Sequence, residues 1–254
     1  MSPLFARWRG QGIVLALGVA ALAACQRADR SPRVAAPDEP PAAMPPPISF
    51  DTIGRRFTVI TIYTTDSASQ AQVMDAVRRA LPATIRRSSG FVVTALLRSL
   101  DGRRVLRLSQ WNDERGWEAF SRMTLPQDSL TWWLAATARP RTVGYELAAC
   151  EARRGLPELE AGQADAVEFV EFRLHRKGDQ RPFIAAAKQA ARDATVRTAA
   201  LEFAAVLRGV DTSSVGFIAR WQGRPGSSGL ARPLVTFSAD TDQRLYEVVE
   251  AVYP

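Results

Sequence analysis

The sequence predicts an α+β protein built from two ferredoxin-like βαββαβ modules, packed sheet to sheet as a pseudo-dimeric α+β barrel within one chain. Three observations carry that prediction. Shifted by 110 positions the chain overlays on itself, so that Trp111 falls on Trp221 and residues 95–101 (ALLRSLD) read against 205–211 (AVLRGVD). Such a repeat has to be recognised before any element is assigned. Each copy then reads strand, helix, hairpin and closing strand, the order of an antiparallel sheet with helices on one face. Finally, each sheet leaves an apolar face uncovered, and pairing the two faces removes that surface from water at about 25 cal/mol per Å².

The N-terminus reads as a targeting segment. Arg7 and Arg9 precede an apolar run from Ile13 to Ala24 that is too short for a permanent bilayer span and suits a secretory leader. It ends in Leu22-Ala23-Ala24-Cys25, which resembles the bacterial lipoprotein box. That resemblance implies a leader over 1–24, lipidation at Cys25 and attachment to membrane lipid. It places the protein at the cell envelope on the periplasmic side, and at the outer membrane in a Gram-negative cell, because Gln26 follows the cysteine. Residues 25–49 are rich in Pro and Ala and cannot build a core, so they read as an extended tether. The two modules are expected over 50–155 and 156–254, the second degenerate.

In the first module, residues 56–63 alternate apolar and polar with β-branched side chains, a half-buried strand. From Ser69 the apolar period changes to that of a helix through Val73, Met74, Val77 and Leu81, and Pro82 is expected to end it. Residues 91–98 and 105–111 are strands joined by the hairpin signal Asp101-Gly102. Asn112 or Asp113 caps a second helix through Trp117, Phe120 and Met123, a further helix runs from Asp128, and 141–150 closes the sheet. In the second module 167–174 is a strand, 181–192 a helix, 199–208 and 214–221 a hairpin turned at Asp211-Thr212, and 245–253 the last strand. Between them, 223–229 (GRPGSSG) has loop composition where the first copy has a helix. The first module therefore keeps an element that the second has lost, which favours it as the carrier of a pocket.

Composition narrows the chemistry. The formal charge of +7 falls to +5 when Arg7 and Arg9 leave with the leader, and the arginines are scattered, which argues against nucleic acid as a partner. With Cys25 acylated, Cys150 has no disulfide partner and reads as a small buried residue. The one histidine, His175, stands at the end of the second module's first strand and reads as a surface residue, and no Cys/His cluster has metal spacing.

Residues 90–92 (GFV), 97–105 (LRSLDGRRV) and the Gln110-Trp111 strand end resemble the antibiotic biosynthesis monooxygenase family, whose members are dimeric α+β barrels. The resemblance covers most of the first module and, in the second, mainly 205–221. It implies a membrane-tethered, cofactor-independent monooxygenase of an aromatic or quinone-like molecule, with no metal or flavin. The second reading is a non-catalytic envelope lipoprotein that holds a hydrophobic small molecule or a protein partner. On the enzymatic reading Trp111 stacks on a planar substrate, Arg98 or Tyr63 stabilises its phenolate, and Trp117, Phe120, Trp132 and Trp133 line or close the cavity. The haem-degrading branch shares the Trp111-Asn112 pair but has a ligating histidine where this sequence has residues around Leu130 and none. The expected assembly is a monomer containing its own pseudo-dimer.

Overall fold

The computed structural model describes residues 47–253 except 55, 86–87, 124–128, 163–164 and 226–228, and the side chains of 82–84 and 129 are likewise left out. The leader, Cys25 and most of the tether lie outside the described residues. Among the described residues no helix is long and apolar enough to cross a membrane. In chain order the elements are β1 (Ile48–Ser49), β2 (Phe57–Thr64), α1 (Gln70–Thr84), β3 (Phe91–Ser99), β4 (Arg104–Trp111), α2 (Glu114–Ser121), α3 (Ser129–Ala138), β5 (Arg141–Ala152), β6 (Glu158–Leu159), β7 (Ala166–Leu174), α4 (Gln180–Arg197), β8 (Leu201–Gly209), β9 (Ser214–Trp221) and β10 (Ser238–Val252).

Eight strands close into one barrel in the order β10-β3-β4-β2-β5-β8-β9-β7. The closing strand of each half also bridges to the other. β5 pairs with β2 on one side and β8 on the other, while β10 pairs with β7 and β3. Closure leaves no strand edge of the barrel available for association with another chain. The interior is filled by inward side chains of both halves, among them Ile60, Ile62, Leu97, Leu106, Leu108, Tyr145, Phe169, Phe203, Leu207, Ile218 and Tyr246. Bulges between Phe91 and Val93 and between Leu201 and Phe203 fall at matching points of the two hairpins, and each bends its strand to follow the barrel wall. The shared apolar interior expected from two uncovered sheet faces is thus the core of this fold.

Outside the barrel lie two helix-covered layers. In the first half α1, α2 and α3 bury Val59, Tyr63, Val73, Val77, Leu81, Leu96, Val105, Trp111 and Leu134. In the second half α4 packs Phe183, Ala187 and Ala191 against Val170, Phe172, Val206 and Phe217. Where the first half has α2 and α3, the second has an irregular segment that buries Leu230, Ala231 and Leu234.

Three details differ from the sequence reading. α1 continues through Pro82 to Thr84: the proline removes only its own N–H, so one backbone hydrogen bond is forfeited and the helix ends within the next turn. α4 extends to Arg197, where Thr198 caps it with its N–H on the Ala194 carbonyl. The folded unit also reaches into the segment read as tether. Ile48 and Phe50 are buried in the barrel core, β1 pairs with β6, and the Gln110 amide brackets Ser49, donating to its carbonyl at 2.6 Å and accepting from its N–H at 3.1 Å. The signal was the apolar Ile48 just before Phe50, where the first module was expected to begin; beside a proline run it looks like tether until a partner strand is known.

Candidate active site

Strand periodicity assigns each residue of β4 to a layer. Leu106 and Leu108 point into the barrel, so Val105, Arg107, Ser109 and Trp111 lie on the face beneath the helices. Opposite this row, β2 contributes Val59, Thr61 and Tyr63, and β3 contributes Thr94 and Leu96.

Arg107 is the unusual member of that row. A charged residue in a helix-covered sheet layer is rare without a partner of opposite charge. Its side chain is half-buried and donates to Thr61 Oγ1 at 3.2 Å, and Thr61 Oγ1 also lies 3.0 Å from Thr142 Oγ1 on β5. Among the described residues its Nε is buried without a hydrogen-bond acceptor and no carboxylate pairs with its guanidinium. Arg104 and Arg244 also bury an Nε, but each guanidinium is ion-paired, Arg104 with Asp242 and Arg244 with Asp101. Four residues along the strand from Arg107, Trp111 is fully buried and its Nε1 likewise has no acceptor among the described residues. Trp111 packs among Phe91, Trp117 and Phe120, with ring centroids 5.5, 5.6 and 5.2 Å away. Ser109 and Thr94, 2.7 Å apart, stand between these two unmatched donors.

The second half answers each of these features with an apolar or satisfied one. Arg107 lies opposite Thr61 and Leu96 in the ladders, and the residue lying correspondingly opposite Val170 and Val206 is Phe217. Ser109 lies between Val59 and Thr94, whereas Ala219 lies between Glu168 and Ala204. Trp221 is also buried, but its Nε1 donates to Glu168 at 3.0 Å. The first half therefore holds two unsatisfied donors on a partly polar face, and the second half has filled the same face with Phe217, Phe172 and Phe183.

The residues singled out from sequence divide along β4. Tyr63 lies opposite Val105 and Arg98 also pairs with Val105, while Trp111 lies opposite Phe57 and Phe91 at the other end of the strand. At roughly 3.3 Å per residue, six residues separate these ends by about 20 Å. Tyr63 and Arg98 thus do not meet Trp111. Arg98 is largely exposed and ion-paired with Glu247 of β10, so it serves the seam between strands. Trp117, Phe120 and Trp133 do join the Trp111 layer. Trp132 does not, since it is 71% exposed on the outer side of α3. Arg107, which the sequence reading passed over, was marked by its place two strand periods before Trp111 and by the apolar Phe217 at the repeat position.

Other features contribute less. An open groove of about 670 Å³ runs between the start of β2 and α4, lined by Phe57, Leu147, Arg181, Ile184, Lys188 and Arg208. Trp111 does not line it, although Phe57 touches both. Burial pushes the Cys150 thiol up to about 12, with the Glu151 charge adding to it, so it is not a thiolate nucleophile. His175 is exposed. Among the described residues no group of His, Cys, Asp and Glu is placed to hold a metal ion.

Residues 56–125 match the family model for antibiotic biosynthesis monooxygenases. The matched segment contains Tyr63, Arg107, Trp111, Trp117 and Phe120 and lies wholly in the first half. Among solved structures, an anthrone oxidase-like protein superposes with a TM-score of 0.66 at 16% identity, covering 82% of this chain and 96% of its own. A candidate monooxygenase from Fusobacterium nucleatum subsp. nucleatum superposes with a TM-score of 0.53 at 6% identity, covering 79% and 95%. These likenesses show the fold, a pseudo-dimeric α+β barrel, and the family model matches within its first half. No curated protein matches the sequence.

Proposed function

We propose that the first half binds an oxygen-bearing polycyclic aromatic and oxidises it with dioxygen and no cofactor, and that the chain is held at the cell envelope by lipid on Cys25. The observation that carries this reading is the pair of buried, unmatched donors on one face of β4, Arg107 Nε and Trp111 Nε1, both absent or satisfied in the second half. Arg107 and Trp111 are four residues apart, about 13 Å along the strand. A tricyclic aromatic with an oxygen at each end spans that distance, over a floor of Ser109, Thr94 and Val59.

In this arrangement Arg107 receives the anionic oxygen of a phenolate or enolate. A half-buried guanidinium with its Nε out of water favours that anion more than a fully solvated one would. The electron-rich anion then reduces dioxygen. For an anthrone-type methylene, one oxygen atom becomes the new ketone oxygen, and the other leaves as water with the two hydrogens that the methylene carbon gives up. Trp111 donates to the opposite oxygen, and Trp117 and Phe120 keep water from the intermediate. We further propose that the halves arose by duplication and that the second became a support when Phe217 and Glu168 closed its face.

A second reading is favoured by the filled barrel and the complete burial of Trp111: the chain is a non-catalytic envelope lipoprotein that binds a hydrophobic ligand or a protein partner. Oxygen uptake separates the two. The full chain, incubated with anthrones and naphthoquinols, consumes dioxygen in proportion to quinone formed, and Arg107→Leu abolishes it. Binding without oxygen uptake would leave a ligand carrier.

A further inference from the structure

α3 carries no charged residue along its whole length, Ser129-Leu130-Thr131-Trp132-Trp133-Leu134-Ala135-Ala136-Thr137-Ala138. A helix that is apolar on every side belongs inside a protein or in a lipid environment. α3 is buried on one side alone, where Leu134 and Ala138 pack into the first-half layer, and its outer side presents Trp132, Ala135, Ala136 and Thr137 to solvent. The other helices are dressed differently. α1 exposes Asp75 and Arg79, α2 exposes Glu114, Arg115 and Glu118, and α4 exposes Arg181 and Arg192.

From this contrast we infer that α3 is a membrane-interface element, and that its outer face, with Trp132 at the centre, lies in the headgroup region of an anionic bilayer. Two further observations choose a lipid surface as the occupant. Arg139, exposed, directly follows α3, and among the described residues it has no carboxylate partner. A tryptophan on a helix that ends in an unpaired arginine is a side-chain combination that settles at a membrane interface. The lipoprotein-type cysteine also lies 22 residues before Pro47. Extended at about 3.1 Å per residue that segment reaches about 70 Å, so the anchor alone would allow any face of the barrel to meet the bilayer. The choice of face then falls to the surface itself, and α3 is the helix whose outer side loses least by leaving water. The inference is independent of turnover. It would nonetheless place the Arg107 and Trp111 layer on the side from which a membrane-dissolved aromatic arrives.

The test uses an unlipidated chain starting at Gln26, which contains every described element, so that acyl chains do not mask the protein's own affinity. It is titrated with vesicles of phosphatidylcholine alone and of phosphatidylcholine with phosphatidylglycerol, following cosedimentation and tryptophan emission. The expected result is binding to the anionic vesicles with a blue shift, weakened at least about tenfold by Trp132→Glu and retained by Trp132→Phe. Arg139→Gln should weaken it less and lower its salt sensitivity. Unchanged unfolding temperatures show that the variants remain folded. Absence of binding to anionic vesicles, or equal binding by wild type and Trp132→Glu, overturns the proposal. So does a concentration-dependent dimer abolished by Trp132→Glu, which would make a second copy of the chain the occupant.

Discussion

Replacing Arg107 by leucine should make the protein more stable and, on the proposed function, inactive. Leucine keeps part of the apolar stem and removes a guanidinium whose Nε is buried without an acceptor and which no carboxylate offsets among the described residues. A buried charged donor left unmatched costs roughly 1–3 kcal/mol. Arg107 is half-buried, so its outer nitrogens keep some hydration, and the lost bond to Thr61 Oγ1 partly cancels the gain. The net expectation is a gain of about 1 kcal/mol, which for a domain of this size raises Tm by about 2–4 °C. Loss of a donor aimed at a developing anion costs on the order of 10²-fold or more in kcat. Thermal and urea unfolding followed by circular dichroism read the first effect, and an oxygen electrode reads the second. If Arg107→Leu loses about 1 kcal/mol or more of stability, the arginine is a structural residue whose partners have been misjudged, and the site loses its principal donor.

Other perturbations separate the halves and probe the fold. Trp221→Phe should cost about 1–3 kcal/mol more than Trp111→Phe, because it strips a donor from the buried Glu168 carboxylate while Trp111 has no bond to lose; equal losses in urea unfolding would remove this distinction. Thr212 has φ +61 at the turn position held by Gly102 in the first hairpin, so Thr212→Gly should stabilise by about 1 kcal/mol in the same assay. A chain starting at Asp51, lacking Ile48 and Phe50, should unfold at markedly lower urea concentration than one starting at Gln26, since both side chains fill the barrel end. Burial raises Tyr145 and Tyr246 above the usual phenol range, with the charges of Glu171 and Asp242 adding to it respectively, and burial raises Cys150 to about 12. These groups stay neutral when folded and ionise when unfolded, so stability is full below about pH 8.5 and falls progressively as pH rises through about 9 to 11. A flat urea midpoint from about pH 8 to 11 would contradict those placements.

Much of the architecture was legible because it follows from periodicity. Alternation along 56–63, 91–98 and 105–111 fixed which side chains share a layer, and the Asp101-Gly102 and Asp211-Thr212 turns fixed the hairpins. The barrel end was not legible, because Ile48 and Phe50 reveal their role only when β6 and Gln110 are brought to them from 158–159 and 110. Of the aromatic residues singled out, Trp117, Phe120 and Trp133 pack in the Trp111 layer and Trp132 faces solvent, as expected of a helix that turns adjacent residues to different faces. Arg98 lies in the stretch that carries the family resemblance, but strand rise sets it at the far end of β4 from Trp111. Arg107 was readable by the same period that placed Trp111, and the phenylalanine at its repeat position was the cue that the two faces had diverged.

The central claim is that Trp111 Nε1 and Arg107 wait for a ligand oxygen while Trp221 is already satisfied. It is tested most directly by the indole N–H resonances in a nitrogen-15-labelled chain starting at Gln26, assigned by single Trp→Phe substitutions and titrated with a hydroxylated anthraquinone. The account predicts that the Trp111 indole proton moves downfield on binding and the Trp221 proton stays in place, with the shift lost in Arg107→Leu. A Trp111 resonance that is unmoved while the compound binds, or a shift at Trp221 instead, would contradict it.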